Sequence, residues 1–279
     1  MLRMVFALTI LGAVVSGQDT AADARKAFEE ANALYEKTEN DKALAAYDRA
    51  IALDSKQPDF HLGRCRTLAR LQRHTDAIAS CTDALKLNPE FAAALLDRGH
   101  FLINARQVER AVPDLTRARA LNADAYGVAY HLALAHYLLG DYQMAADEYP
   151  NCVANAKTDD NRMACSAWQY VALLRAGRKA DAATVLERAT PDTKVQSSVA
   201  YLDRLLLFKG VKSEDEVAKL MEKDNLQLAT VAYGVGLWHL LNGRQARARE
   251  YFEKAASPPA QLSGFGSVAA YYELRRMKK

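Results

Sequence analysis

The sequence predicts an all-α fold, an α-solenoid of about seven helix pairs closed by one C-terminal helix. Three observations predict it. The phrase "ALKLNPEF" at 84–91 returns 34 residues later as "ARALNADAY" at 118–126, with small residues at fixed intervals between them. Only 13 Gly and 7 Pro occur in 279 residues, while Ala, Leu, Arg, Glu and Lys are frequent, which favours helix over strand or disorder. Short turns carrying Gly, "LLGDY" at 138–142, "RAGRK" at 175–179 and "LNGRQ" at 241–245, sit where a helix C-terminus calls for a positive φ.

With the small residues set at positions 8, 20 and 27, units start at 24, 58, 92, 126, 163, 196 and 229. The first unit places Ala31, Ala43 and Ala50 there; the second Cys65, Ala77 and Ala84; the third Gly99, Ala111 and Ala118. The fourth has Ala133, Ala145 and Cys152, the fifth Tyr170, Ala182 and Ala189, and the last Gly236, Ala248 and Ala255. The sixth is degenerate, with Asp203 and Asp215 in two small positions. Small residues let two helix backbones approach closely. Larger ones, such as Tyr47, Leu115, Tyr149 and Phe252 at position 24, fill the space between. One pair cannot bury its apolar face alone, so neighbouring pairs stack.

This pattern resembles the tetratricopeptide repeat (TPR). Residues 24–263 are assigned to the repeats, and 264–279 to a capping helix and tail, from "GSVAAYYELRRM" at 266–277. Pro150 falls in the second helix of the fourth unit and predicts a kink or early end there. The polar stretch "NAKTDDNR" at 155–162 predicts a loop, with Asp159 and Asp160 as solvated charge.

The N-terminus reads as an export signal. Arg3 precedes the uncharged run Met4–Val15, and Val15 and Gly17 place small residues before a cleavage site after Gly17. Twelve residues are too few to span a bilayer, which needs about 20. Residues 1–17 are thus assigned to a signal peptide and 18–23 to a short linker, which leaves no integral membrane span after cleavage and an exported chain, periplasmic or secreted. An uncleaved anchor or a buried first helix is the alternative.

The order of units five to seven carries a closer likeness. "SAWQYVALLRAGRKADAATVL" is followed by the degenerate "YLDRLLLFKGVKSEDEVAKLM", then "ATVAYGVGLWHLLNGRQARAREYFEKA" and a lone helix. Over about residues 24–277 this resembles the NlpI-type periplasmic TPR adaptor proteins. That resemblance implies a homodimer that docks an envelope processing protease and cell-wall hydrolases. Members are usually lipoproteins, whereas this chain has no lipobox Cys near its export site.

Four cysteines allow three pairings. Cys65 and Cys81 stand on facing helices of one unit, and Cys152 and Cys165 flank the junction of units four and five, so helix packing favours 65–81 and 152–165. The alternative is that all four are small core residues.

A formal charge of +3 without a basic block argues against nucleic acid. His61, His74, His100, His131, His136 and His239 form no HExxH, and no CxxC, phosphate loop or GxSxG elbow occurs. The reading is therefore a non-enzyme without catalytic residues, metal or cofactor, which binds protein or peptide partners. In a TPR stack the first helix of each pair lines the concave groove. That assigns the groove to Asn32, Tyr35, Arg66, Arg70, His100, Asn104, Tyr130 and Tyr137. Apolar groups of a peptide would lie on Tyr130 and Tyr137, with Asn32, Arg66, Arg70 and Asn104 binding backbone or carboxylate. Inter-repeat packing of these tyrosines is the other reading. Of the positions that form the chaperone-binding TPR clamp, here Phe28, Asn32, Gly63, Ala93 and Asp97, only Asn32 matches. A structural subunit that self-associates through its ends is the alternative to an adaptor.

Overall fold

The computed structural model describes residues 11–257 and 264–278, with 11–19 by backbone alone. Residues 1–10 of the expected signal lie outside these. Helix α1, Leu11–Glu36, runs unbroken through Gly17 and the expected linker at 18–23. The linker sequence "QDTAAD" holds two strong helix formers, Ala21 and Ala22, and neither Gly nor Pro to stop the helix. All the regular structure of the described residues is helical. The chain divides into two compact units, one ending at Ala94 and one starting at Leu95.

In the first unit α1 pairs with α2 (Asn40–Leu53), and α3 (Pro58–Arg70) pairs with α4 (His74–Leu87). Ala31, Ala43, Ala50, Cys65, Ala77 and Ala84 are all fully buried, as the small-residue positions require. Cys65 and Cys81 are bonded across α3 and α4, with Cα atoms 5.3 Å apart. The turn between paired helices needs a left-handed residue, and Thr38 and Gln72 supply it with φ of 60°. Arg106, one repeat further on, does the same with φ of 59°. From Gly140 onward the intra-pair turns use glycine: Gly140, Gly177, Gly210 and Gly243 all have positive φ.

The second unit opens within α5 (Ala92–Asn104), which is tied to α6 (Val108–Ala120) by a two-pronged pair from Arg98 to Asp114 at 2.7 and 2.8 Å. There follow α7 (Ala125–Leu139), α8 (Tyr142–Asn155), α9 (Asp159–Arg175) and α10 (Lys179–Leu186). Helix α8 continues through Pro150 rather than ending there. Pro150 is on the exposed face, while Tyr149 and Cys152 beside it are fully buried and hold both halves of the helix in place. Cys152 is bonded to Cys165 of α9, with Cα atoms 5.9 Å apart.

The polar stretch 155–162 is mostly helix, not loop. The Thr158 side chain accepts from the Asn161 amide and starts α9 at Asp159. Asp160 is not simply solvated: it accepts from the amides of Gln196, Ser197 and Ser198 and from the Ser197 hydroxyl. The degenerate pair is α11 (Val199–Lys209) and α12 (Glu214–Ala218), the latter capped by Ser213 and Glu216 and passing into a 3-10 turn, Lys219–Glu222. Asp203, buried in α11, is paired with Lys212 at 2.5 Å.

The last pair is α13 (Asn225–Leu241) and α14 (Gln245–Ala255), followed by α15 (Gly264–Arg276). Helix α15 packs on α13 and α14, and it also returns to α7. Its approach to α13 depends on Gly266, where a Cβ would come within 2.4 Å of the Ala229 carbonyl oxygen. The Glu273 carboxylate accepts from Arg175 of α9, and the Tyr272 hydroxyl donates to the Arg106 carbonyl at 3.2 Å. Arg276 donates to the Leu138 carbonyl on α7.

Candidate functional site

The eight groove residues predicted from the sequence fall into two groups. Asn32, Tyr35 and Arg66 line an open groove of about 270 Å³ in the first unit, together with Phe28, Glu36, Tyr47, Asp59, Leu62 and Gly63. Arg70 stands beside it on α3. Its guanidinium covers the Tyr35 ring, 3.4 Å from the centroid, and Nη1 donates to the Tyr35 carbonyl at 2.6 Å. Both contacts cross from α3 to the end of α1, so Tyr35 is held in place by a cation on its face.

Asn32 is oriented from below. Tyr47 of α2 passes through the notch left by Gly63, where a Cβ would come within 2.3 Å of its ring. Its hydroxyl then donates to Asn32 Oδ1 at 2.6 Å. Burial pushes the Tyr47 hydroxyl up to about 12, with nearby Tyr35 adding to this, so it remains a donor at neutral pH. With Oδ1 taken, Asn32 Nδ2 is the hydrogen-bonding group presented to the groove, suited to a peptide carbonyl. The apolar floor is Leu62 and Phe28, which stacks on Phe60 at 4.7 Å. The walls carry both signs of charge, with Glu36 and Asp59 beside Arg66.

The other four are arranged differently. Tyr137 is fully buried, its hydroxyl 2.8 Å from that of Tyr233. Tyr130 is buried too and accepts from the Trp168 indole at 3.0 Å. His100 is half-buried, stacked on His131 at 4.5 Å and 5.4 Å from the Phe265 ring of α15. Asn104 is half-buried at the end of α5. The two tyrosines are therefore core residues and not a free aromatic surface. The signal for this is in α7 itself. "AYGVAYHLALAHYLL" is apolar on every face, the mark of a helix buried all round. Phe265 was the residue sequence reasoning missed, since its neighbours lie far back in the chain. Half-buried His131 has its imidazole pKa lowered to about 4 by burial, against the opposing hydrogen bond to the Gly127 carbonyl.

Among the described residues no group of three or more His, Cys, Asp or Glu is placed to hold a metal ion. The arrangement can pair with a backbone, a charge and an apolar side chain of a partner, which is the chemistry of recognition.

Repeated helix pairs with a side-chain-lined groove define a helical-repeat fold. Residues 28–90 and 96–150 match the Tetratricopeptide repeat family model. Families of this kind are generally non-enzymatic. Among relatives, it is 26% identical over 164 residues to the TPR repeat-containing thioredoxin TTL4 of Arabidopsis thaliana, covering 54% of this chain and 24% of that one. It is 34% identical over 86 residues to the DnaJ protein P58IPK homolog B of Oryza sativa subsp. japonica, covering 29% and 18%. The chain thus matches a quarter or less of the length of these relatives. Among solved structures, MamA superposes with a TM-score of 0.54 at 19% identity, over 60% of this chain and 89% of that one. YrrB, described as a TPR protein with an unusual peptide-binding site, superposes with a TM-score of 0.53 at 20% identity, over 63% and 90%. These likenesses establish the fold.

Proposed function

We propose that this chain is an exported TPR adaptor whose first unit binds a peptide segment of a partner protein. The observation that carries the reading is the groove of Asn32, Tyr35 and Arg66, with an amide oriented by Tyr47 and a ring clamped by Arg70. It offers a donor for backbone, an apolar floor and charge of both signs. The peptide-binding site named for YrrB supports the same use of the fold. Export is supported by the apolar run Met4–Val15 and by the two cysteine pairs, which persist in oxidising compartments. No helix among the described residues is long and apolar enough to cross a membrane. The likeness to NlpI-type adaptors supports an envelope protease or cell-wall hydrolase as the partner, with a homodimer as the assembly.

The test is a photocrosslinker at Asp59, an exposed groove residue, in the native host, with mass spectrometry of the adducts. One dominant foreign protein, lost in a Tyr35→Ala, Arg70→Glu variant, is the expected result. Adducts to the chain itself alone would replace the adaptor with the self-associating structural subunit.

A further inference from the structure

Arg204 of α11 is 2% exposed, and none of its three guanidinium nitrogens has a hydrogen-bond partner. A guanidinium does not deprotonate in proteins, so a full positive charge stands in the core of the second unit. Its place is built. The stem lies against Gly234, where a Cβ would come within 2.8 Å of Arg204 Cδ. Its Cζ sits 4.8 Å from the Trp168 ring and 5.3 Å from the Tyr201 ring. Aromatic faces stabilise the charge, but they leave the in-plane N–H donors unmet.

The nearby carboxylates are committed elsewhere. Asp203 is taken by Lys212, and Glu273 by Arg175 and Arg276. Among the groups that its charge reaches is the hydroxyl of Tyr149. Tyr149 is fully buried and its hydroxyl also lacks a partner. Burial holds that hydroxyl protonated, and the charge of Arg204 only partly opposes this. Tyr201, half-exposed, has its ring 5.3 Å from the Arg204 Cζ and its hydroxyl 3.4 Å from that of Tyr130.

We propose that Arg204 anchors an anion site that takes a small monovalent anion, halide or carboxylate, with the Tyr149 hydroxyl as a second donor. Unpaired donors on both a buried cation and a neighbouring buried hydroxyl are what an anion with several acceptor positions satisfies together. The site lies within the second unit and does not depend on the peptide reading of the first.

Trp168 is the reporter. The chain has 2 Trp, so Trp238→Phe leaves Trp168 alone. Iodide quenches on contact, and Trp168 is fully buried, so only an ion that enters the Arg204 site reaches it. Iodide is titrated at constant ionic strength made up with potassium sulfate, whose divalent anion lies outside the proposed class. The expected result is a quench that saturates, is relieved by chloride or acetate, and disappears in Arg204→Met. Relief by both assigns a site open to carboxylates; relief by chloride alone confines the proposal to halide. Exchanging a buried cation for an apolar chain of similar length is generally tolerated, so the Met variant is expected to fold. If it does not, Arg204→Lys keeps the charge without the fork and is expected to weaken the half-saturation at least fivefold. A weak quench linear in iodide in the Trp238→Phe protein, or a saturable quench unchanged in a folded Arg204 variant, overturns the proposal.

Discussion

Glu273, on the last helix, accepts from Arg175 Nη1 at 3.2 Å, although the two residues are 98 positions apart. Glu273 is 1% exposed and also pairs with Arg276 at 3.0 Å. Removing one member of a buried pair leaves the other charge uncompensated, which costs about 3–5 kcal/mol. Glu273→Ala should therefore lower the unfolding free energy measured in urea by that amount, and adding Arg175→Met should restore much of it. A single variant as stable as the parent would show that the pair contributes nothing to docking α15.

Thr38 occupies a turn position at φ 60° that later pairs give to glycine. A left-handed β-branched residue is strained by about 1–2 kcal/mol. Thr38→Gly recovers that strain, offset by the extra freedom glycine gains in the unfolded chain. The expected net gain is about 0.5–1 kcal/mol, read from thermal or urea unfolding. No gain would mean that the Thr38 side chain supports the turn in some other way.

The two disulfides close loops with sequence separations of 16 and 13. The chain-entropy model assigns about 3 kcal/mol to loops of this size. Reduction with dithiothreitol should lower the unfolding midpoint accordingly, and the Cys65→Ala, Cys81→Ala variant should reproduce the part that belongs to the first unit. Equal midpoints with and without reductant would contradict it.

His131 sets a pH dependence whose sign is fixed by its lowered folded-state pKa of about 4. Between an unfolded value of about 6.5 and about 4 the unfolded chain takes up a proton that the folded one declines. Its contribution to stability is thus complete above pH 6.5 and is lost progressively as the pH falls to 4. Urea midpoints of the parent and His131→Gln measured across this window should converge towards acid pH. NMR titration of the imidazole with a midpoint near 6.5 would sink the idea.

The helix pairs were legible because their rule is local. Ala31, Ala43 and Ala50 recur with the period, and the structure buries all three. The first-unit groove was legible for the same reason, since position in the repeat sends Asn32, Tyr35 and Arg66 to the inner face. The inner face of the second unit was not. Its filling depends on Phe265, Tyr272 and Glu273, whose partners His100, Arg106 and Arg175 lie far back along the chain. No periodicity encodes such distances. The early helix end allowed at Pro150 does not occur because its buried neighbours hold the helix, and Asp160 is not plain solvated charge because three distant amides claim its carboxylate.

Repeat proteins usually evolve by duplicating whole units, and the return of α15 restricts where this chain can do so. An extra pair inserted between α9 and α13 would carry Glu273 one repeat away from Arg175 and Tyr272 away from Arg106, breaking both contacts at once. Within the first unit a duplicated pair meets no such closure. The second unit thus has a fixed copy number, written into one folded-back helix, while the first unit remains the part free to lengthen.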